Sequence, residues 1–257
     1  MNNQYVEVTD ASLMFAAADG KPVLALDDVS LVVPEGQFLA IVGPSGCGKT
    51  TILNMLAGLL RPTLGSVKRN DEEVLKPSLD VGYMLARSGL YPWRTAQRNI
   101  ELPLEIRGIP KAERKERVEE LLHLVKLDGF GTKFPSQLSQ GMRQRVSIAR
   151  TLAIEPKLWL LDEPFSALDA QTRITVQNEF LRLWEATTST VILVTHDLAE
   201  AVLLADRVIV MTARPGKIKL DQIIDIPRPR LVDDLIDNEK FKNLESTIWK
   251  ELRSELI

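Results

Sequence analysis

Gly43-Pro44-Ser45-Gly46-Cys47-Gly48-Lys49-Thr50-Thr51 decides how this chain is read. It has the form G-x-x-x-x-G-K-[ST], a phosphate-binding P-loop. An apolar run, Phe38-Leu39-Ala40-Ile41-Val42, precedes it and predicts a buried strand. Ile52, Leu53, Met55, Leu56 and Leu59 follow at the spacing of one helix face. Strand, loop and helix in that order are the context the motif requires. The glycines let the backbone curl so that its N–H groups converge on phosphate oxygens. The helix N-terminus adds partial positive charge. Lys49 is expected to reach the β- and γ-phosphates, and the Thr50 hydroxyl to join a Mg²⁺ shell. The competing interpretation is a glycine-rich turn with no ligand.

The composition narrows the class. The chain has 257 residues, enough for one large domain or two small ones, with ordinary apolar and charged fractions. Its net charge of −3 supplies no basic field for nucleic acid. No apolar run approaches the ~18 residues of a membrane span. Met1-Asn2-Asn3-Gln4-Tyr5 lacks the features of a signal peptide, and Cys47, the one cysteine, has no disulfide partner within the chain. A cytosolic location is expected, with any membrane association made through a protein partner.

Outward from the P-loop, residues 5–42 alternate apolar and polar positions around a turn at Asp19-Gly20-Lys21-Pro22. They predict an antiparallel sheet, with the stretch Ala25 to Val33 leading toward the P-loop strand. Pro62 and Gly65 are expected to stop the first helix, and Val81 to Leu85 to form another strand. Lys111 to Leu127 reads as an amphipathic helix with Val118, Leu121, Leu122 and Val125 inward. A second helix runs from Ser139 to about Ile154. Leu158 to Leu161, Val191 to Thr195 and Val208 to Met211 are short apolar strands, and their alternation with helices implies a parallel sheet. The expected fold is thus α/β: a P-loop NTPase core with an N-terminal antiparallel β subdomain and a helical insertion. Residues 1–85 and 156–215 would form the core with its β subdomain, 86–155 the insertion, and 216–257 a C-terminal tail. In that tail Ile226-Pro227-Arg228-Pro229-Arg230 should be extended. Leu244, Ile248, Trp249 and Leu252 should form a helical stripe.

Three further clusters carry chemistry. Leu158-Trp159-Leu160-Leu161-Asp162-Glu163 is an apolar strand ending in two carboxylates. Alone these are two acids in a loop. Behind a P-loop, Asp162 fits the Mg²⁺-holding aspartate of P-loop NTPases, and Glu163 a group that orients or deprotonates water. Thr195-His196-Asp197 follows a strand, so His196 is either a contact to a γ-phosphate and its attacking water or a capping and packing histidine. The other histidine, His123, reads as structural or solvated. Leu138-Ser139-Gln140-Gly141 opens a helix with Ser139 as N-cap. It is either a second phosphate-binding helix end or simply a capped helix.

In order, the chain therefore carries GPSGCGKTT, LSQGMRQR, LWLLDEP, SALD at 166–169 and TH at 195–196. Over essentially its whole length it resembles the nucleotide-binding subunit of an ABC transporter. Leu90-Tyr91-Pro92-Trp93-Arg94-Thr95, Arg214-Pro215-Gly216 and residues 226–230 give it the flavour of nitrate, sulfonate and taurine importer ATPases. The resemblance implies a head-to-tail dimer binding ATP and Mg²⁺. ATP would lie on the P-loop of one copy (Gly43 to Thr51) and beneath Ser139, Gln140 and Gly141 of the other. Glu163, His196 and Lys49 would be catalytic, Thr50 and Asp162 would hold Mg²⁺, and Phe15 would stack on adenine. Asp169 would lie at the dimer interface.

The expected partners are a separate permease and a second copy or a related ATPase, with a solute-binding protein engaged indirectly. The subunit would sit at the cytoplasmic face of the membrane. Leu90, Tyr91 and Trp93 are either the permease contact or a local core of the insertion. Non-transport relatives of DNA repair or translation usually need coiled coils or tandem nucleotide domains, for which 257 residues leave no room. One departure stands out. Gly82-Tyr83-Met84-Leu85 is followed by Ala86, where the family has a glutamine. A methyl group cannot coordinate Mg²⁺ or hold water, so reduced or loosely coupled hydrolysis is expected. The alternative is a weakly hydrolysing partner in a heterodimer.

Overall fold

Two sheets share the chain. The computed structural model describes residues 4–16, 21–86, 89–187, 189–231, 235 and 238–255; Met1 to Asn3, and Asp19 and Gly20 of the expected turn, fall outside them. The first sheet has the order β2-β1-β4-β5. Its strands are β1 (Gln4–Ala16), β2 (Pro22–Pro34), β4 (Leu64–Arg69) and β5 (Glu72–Glu73). β1 pairs antiparallel with β2, Val6 opposite Val33 and Leu13 opposite Leu26. The buried members Val6, Val8, Leu26, Val29 and Leu31 point to one side, as the alternating pattern predicts.

The second sheet runs β10-β9-β3-β8-β7-β6. Here β3 is Phe38–Val42, β6 Val81–Met84, β7 Leu158–Asp162, β8 Thr190–Val194, β9 Arg207–Met211 and β10 Ile218–Ile223. All pairs are parallel except β9 with β10. Every residue of β3, β7 and β8 is buried, which is how a parallel sheet covered on both faces reads. Alternate residues feed two cores. Leu39, Ile41, Leu158, Leu160 and Ile192 join α1 (Lys49–Leu56) and the first sheet. Phe38, Ala40, Trp159, Leu161 and Leu193 join the helices of the other side. There Phe180 meets Trp159, Phe165 and Phe38 edge-on, at centroid distances of 5.2, 5.7 and 6.2 Å.

Those helices are α2 (Ala96–Ile106), α3 (Lys111–Leu124), α4 (Gln140–Leu152), α5 (Ala170–Glu185), α6 (Leu198–Leu204) and α7 (Glu239–Arg253). Val118, Leu121, Leu122 and Val125 are buried as expected. His123 is exposed, beside Asp128.

Four expectations change. α1 ends at Leu56, before Pro62, because Gly58 turns the chain at φ 74°; Leu59 is consequently 54% exposed and leaves the helix face. α2 escaped notice because Pro103 lies inside it; the Thr95 side chain caps it by accepting from the Arg98 amide. The segment after Gly216 begins with a strand, β10, added antiparallel to β9. On α7, Ile248 and Leu252 are buried but Trp249 is 46% exposed. Residues 226–230 rivet the tail to the core. Arg230 is buried and donates to the carbonyls of Val202, Ala205, Ile224 and Ile226. Arg228 pairs with Asp206 and lies 4.4 Å over Trp184.

Glu200 on α6 is buried and accepts from Gln177 Nε2 of α5 at 2.8 Å. Burial pushes its carboxyl from 4.5 to about 7, assisted by Asp197 and opposed by hydrogen bonds from Thr195 and Gln177 and by Arg173. The folded state therefore holds this proton more tightly than the unfolded chain. The associated stability is complete below 4.5 and is lost as pH rises through 7. Glu200→Gln keeps an acceptor for Gln177 and does not ionise. Urea unfolding at pH 5 and pH 8 should show the variant gaining on wild type with rising pH, by at most about 3 kcal/mol. A pH-independent difference would contradict this assignment.

Candidate active site

The P-loop leaves β3 at Val42 and closes on α1, with Gly48 as the helix N-cap in a left-handed conformation. Gly48 has φ 107°, and a Cβ there would meet Leu26 Cδ2 at 2.5 Å, so only glycine fits. Lys49 is buried in the loop and donates to the carbonyls of Gly43 at 2.7 Å and Pro44 at 2.8 Å. Burial pushes the Cys47 thiol up, against the pull of Lys49, and keeps it a thiol.

Strand register brings the remaining groups to this loop. Ile41 of β3 and Asp162 of β7 both lie opposite Val194 of β8, so the three strands end side by side. Thr50 Oγ1 donates to Asp162 Oδ2 at 2.8 Å across 112 residues of sequence. Burial raises the Asp162 carboxyl, opposed by the Thr50 hydrogen bond, while Glu163 raises it further and Lys49 lowers it. A buried carboxylate beside a second carboxylate favours a cation. Among the described residues no group of three or more His, Cys, Asp or Glu assembles into a metal cluster. One carboxylate and one hydroxyl are a hard-oxygen pair. They fit Mg²⁺, which keeps several waters and shares phosphate oxygens.

Glu163 follows at φ +50°, an uncommon conformation for a side-chain-bearing residue. Its amide donates to Val194 O at 2.9 Å. Its carbonyl accepts from Ser166 Oγ at 3.0 Å and from Gln144 Nε2 of α4 at 3.2 Å. So held, its Oε1 lies 3.3 Å from His196 Nδ1, and the His196 side chain is 64% exposed. His196 is therefore an exposed histidine set beside the Glu163 carboxylate. Gln144 was missed by sequence reasoning as a site residue. Its only signal was a second glutamine one turn after Gln140.

Ala86 leaves β6 two residues past Met84, which pairs with Leu161; Glu163 leaves β7 two residues past Leu161. Ala86 is exposed at this edge. Gln97, the next glutamine along the chain, lies on α2 beside Gly131. Phe15 is exposed on β1 opposite Val23, three residues before Leu26 on β2.

Ser139, Gln140 and Gly141 are not joined to the P-loop by hydrogen bonds among the described residues. Ser139 caps α4 by accepting from Met142 N at 3.2 Å, with Ser139 and Gln140 exposed. A Cβ on Gly141 would meet Ala167 O at 3.3 Å, which sets this helix end near Asp169. Asp169 is exposed and caps α5; hydrogen bonds from Thr172 hold its carboxyl below the ordinary range. The Tyr91 and Trp93 rings meet at a tilt of 55° with centroids 5.2 Å apart, and Trp93 is 70% exposed, whereas Leu90 packs on the core. The buried side chain of Asn99 pins their loop, donating to the carbonyls of Tyr91, Arg94 and Thr95 and accepting from Tyr91 N.

Known proteins resemble this chain in sequence and in fold. The ABC transporter family profile matches residues 26–166. An uncharacterised ABC transporter ATP-binding protein of Methanocaldococcus jannaschii is 51% identical over 82% of this chain and 79% of its own length. The taurine import ATP-binding protein of Pelagibacter ubique is 40% identical, over 92% of this chain and 89% of its length. The bicarbonate transport ATP-binding protein of Synechococcus elongatus is 42% identical over 95% of this chain, which spans 37% of that longer protein. A solved dimeric ATP-binding cassette in a post-hydrolysis state, bound to ADP and Pi, superposes with a TM-score of 0.79 at 31% identity, over 86% of this chain and all of that one. With a P-loop, two strand-end carboxylates and a capped second helix end on an α/β sheet, the chain belongs to the ABC transporter family as one of its ATP-binding, ATPase subunits.

Proposed function

We propose that the chain energises solute import through a separate membrane permease by closing head to tail with a second copy around two ATP molecules. The observation that carries this reading is the meeting of Thr50 with Asp162 and of Glu163 with His196 at one edge of the sheet. The exposed cap of α4, which among the described residues makes no hydrogen bond to its own P-loop, supports completion of each site by a partner. Residues 86–155 then act as the signature subdomain, with Asp169 beside it at the interface. The names of the taurine and bicarbonate relatives support a small anion as solute. No helix among the described residues is long and apolar enough to cross a membrane, which fits attachment through the permease. Tyr91 and Trp93 are the surface offered to it.

The residues divide the work. P-loop amides and Lys49 bind the β- and γ-phosphates, Lys49 exchanging its two carbonyl partners for phosphate oxygens. Phe15 stacks on adenine. Thr50 and Asp162 hold Mg²⁺, which when bound neutralises charge on the β- and γ-oxygens. Glu163, aimed by its main chain, orients and deprotonates the attacking water. His196 holds Glu163 Oε1 through Nδ1 and fixes its direction. Ala86 leaves this set without the amide usual at that edge, which lowers turnover or coupling. A second reading, a weakly hydrolysing partner in a heterodimer, rests on that same residue.

Three outcomes follow. Glu163→Gln should keep ATP binding while phosphate release by the purified protein falls about a hundredfold or more, the scale of a lost general base; equal rates would remove Glu163 from its role. Ala86→Gln should tighten Mg²⁺ binding to the nucleotide-bound protein, and no change would count against placing residue 86 at the metal edge. Trp93→Ala should weaken co-purification with the permease and leave ATP affinity unaltered; undiminished co-purification would exclude this loop as the contact.

A further inference from the structure

The Arg214-Pro215-Gly216 motif has no part in the chemistry above, yet it lies against the P-loop. The turn after β9 is stitched shut: Thr212 N donates to Lys217 O and Lys217 N to Thr212 Oγ1, each at 2.9 Å. Thr212 Oγ1 also lies 2.9 Å from the carbonyls of Ala213 and Pro215. Gly216 docks this turn on β2, donating to Ala25 O at 2.9 Å and accepting from Asp27 N at 3.1 Å. Lys217 adds an ion pair to Asp27 at 2.6 Å. A Cβ at Gly216 would fall on the Cys47 carbonyl, so turn and P-loop are in backbone contact. From this turn Arg214 Nη2 donates to Gly46 O at 3.2 Å. Arg214 is exposed and forms no ion pair among the described residues, so the P-loop carbonyl is its recorded anchor.

The other side of the turn is tied to the end of the chain. Glu255, just past α7, accepts from Ala213 N through Oε2 at 2.9 Å. Its Oε1 pairs with Lys219 Nζ of β10 at 2.6 Å. Lys219 also donates to Glu251 O at 3.1 Å and to Ser254 Oγ. One carboxylate thus joins the terminal helix, β10 and the residue preceding Arg214.

We propose that Arg214 is a positioning residue for the P-loop, held in place by Glu255, so that the C-terminal helix is coupled to nucleotide affinity. The inference rests on the reading that residues 43–51 grip the triphosphate. Gly46 (φ 77°) and Gly48 (φ 107°) are the φ-positive glycines of the loop, and a carbonyl of Gly46 anchored outward helps to turn the neighbouring amides inward. Releasing that carbonyl costs order in the empty loop, which nucleotide must then restore. The effect falls on binding, and therefore on KM rather than kcat.

The test uses the full chain with ADP binding by calorimetry and ATP turnover kinetics. Arg214→Ala and Glu255→Ala should each weaken ADP binding and raise the KM for ATP about threefold to tenfold, the scale of one hydrogen bond, with kcat nearly constant. Arg214→Lys and Glu255→Gln, which keep a donor and an acceptor, should each retain more affinity. The double alanine variant should lose less than the product of the single losses, because both act through one turn. Lys240→Ala, at the far end of α7, should leave ADP affinity unchanged. Melting curves of the nucleotide-free variants verify that each is folded. Wild-type affinity in folded Arg214→Ala overturns the proposal. Wild-type affinity in Glu255→Ala alone overturns its coupling to the terminal helix. Failure of the wild-type chain to bind nucleotide sinks the underlying reading instead.

Discussion

Backbone hydrogen bonding between parallel strands sets the distances in the site. β3, β8, β7 and β6 run side by side, and their carboxyl ends finish within a residue or two of one another. The P-loop, the Thr195-His196 pair, Glu163 and Ala86 lie one or two positions beyond those strands, and Asp162 is the last residue of β7. A ligand crevice at the carboxyl ends of parallel strands is the general expectation for such sheets. The sheet is covered on both faces and its side chains alternate between two cores. A register slip would therefore disturb packing on both sides as well as the alignment of the carboxylates. The apolar interior and the polar edge are consequences of the same ladder.

Glu163 shows how the helical segment reaches into that edge. A positive φ at a glutamate is unfavourable, on the order of 1–3 kcal/mol, and surrounding contacts must hold it. Gln144 supplies two of them, donating from α4 to the carbonyls of Glu163 and Pro164. The helix whose exposed cap is Ser139 is therefore bonded, one turn further on, to the backbone of the carboxylate in its own chain. A displacement of α4 acts on Glu163 through a buried amide, with no long relay between them.

Much of this was legible beforehand because the motifs are local and the strands are short, uniformly apolar runs. Phe38–Val42, Leu158–Asp162 and Thr190–Val194 announce themselves by composition, and Ser139 by its capping position. The order of strands in the sheet was not legible, since pairing Thr50 with Asp162 needs contacts more than a hundred residues apart. α2 was hidden by Pro103, whose helix-breaking reputation outweighs a buried face of Ile100 and Leu104. The extent of α1 was misjudged because Gly58 outranked the proline beyond it. β10 hides in the tail because its alternation, Ile218-Lys219-Leu220-Asp221, is only four residues long and its side chains are half-buried or exposed, as on an edge strand. Asn99 gave no signal and Gln144 only a repeated glutamine: a buried amide has the letter of a solvated one, and its worth lies in carbonyls the sequence does not locate.

The P-loop is braced from three directions: Leu26 from the antiparallel sheet against Gly48, the backbone at Gly216 against Cys47, and the Lys49 ammonium across its mouth. A glycine-rich segment in isolation would sample a wide range of backbone conformations. Here that freedom is removed when the chain folds. A triphosphate arriving at such a loop meets a backbone that is already ordered, and little of its binding energy is diverted into ordering the receptor.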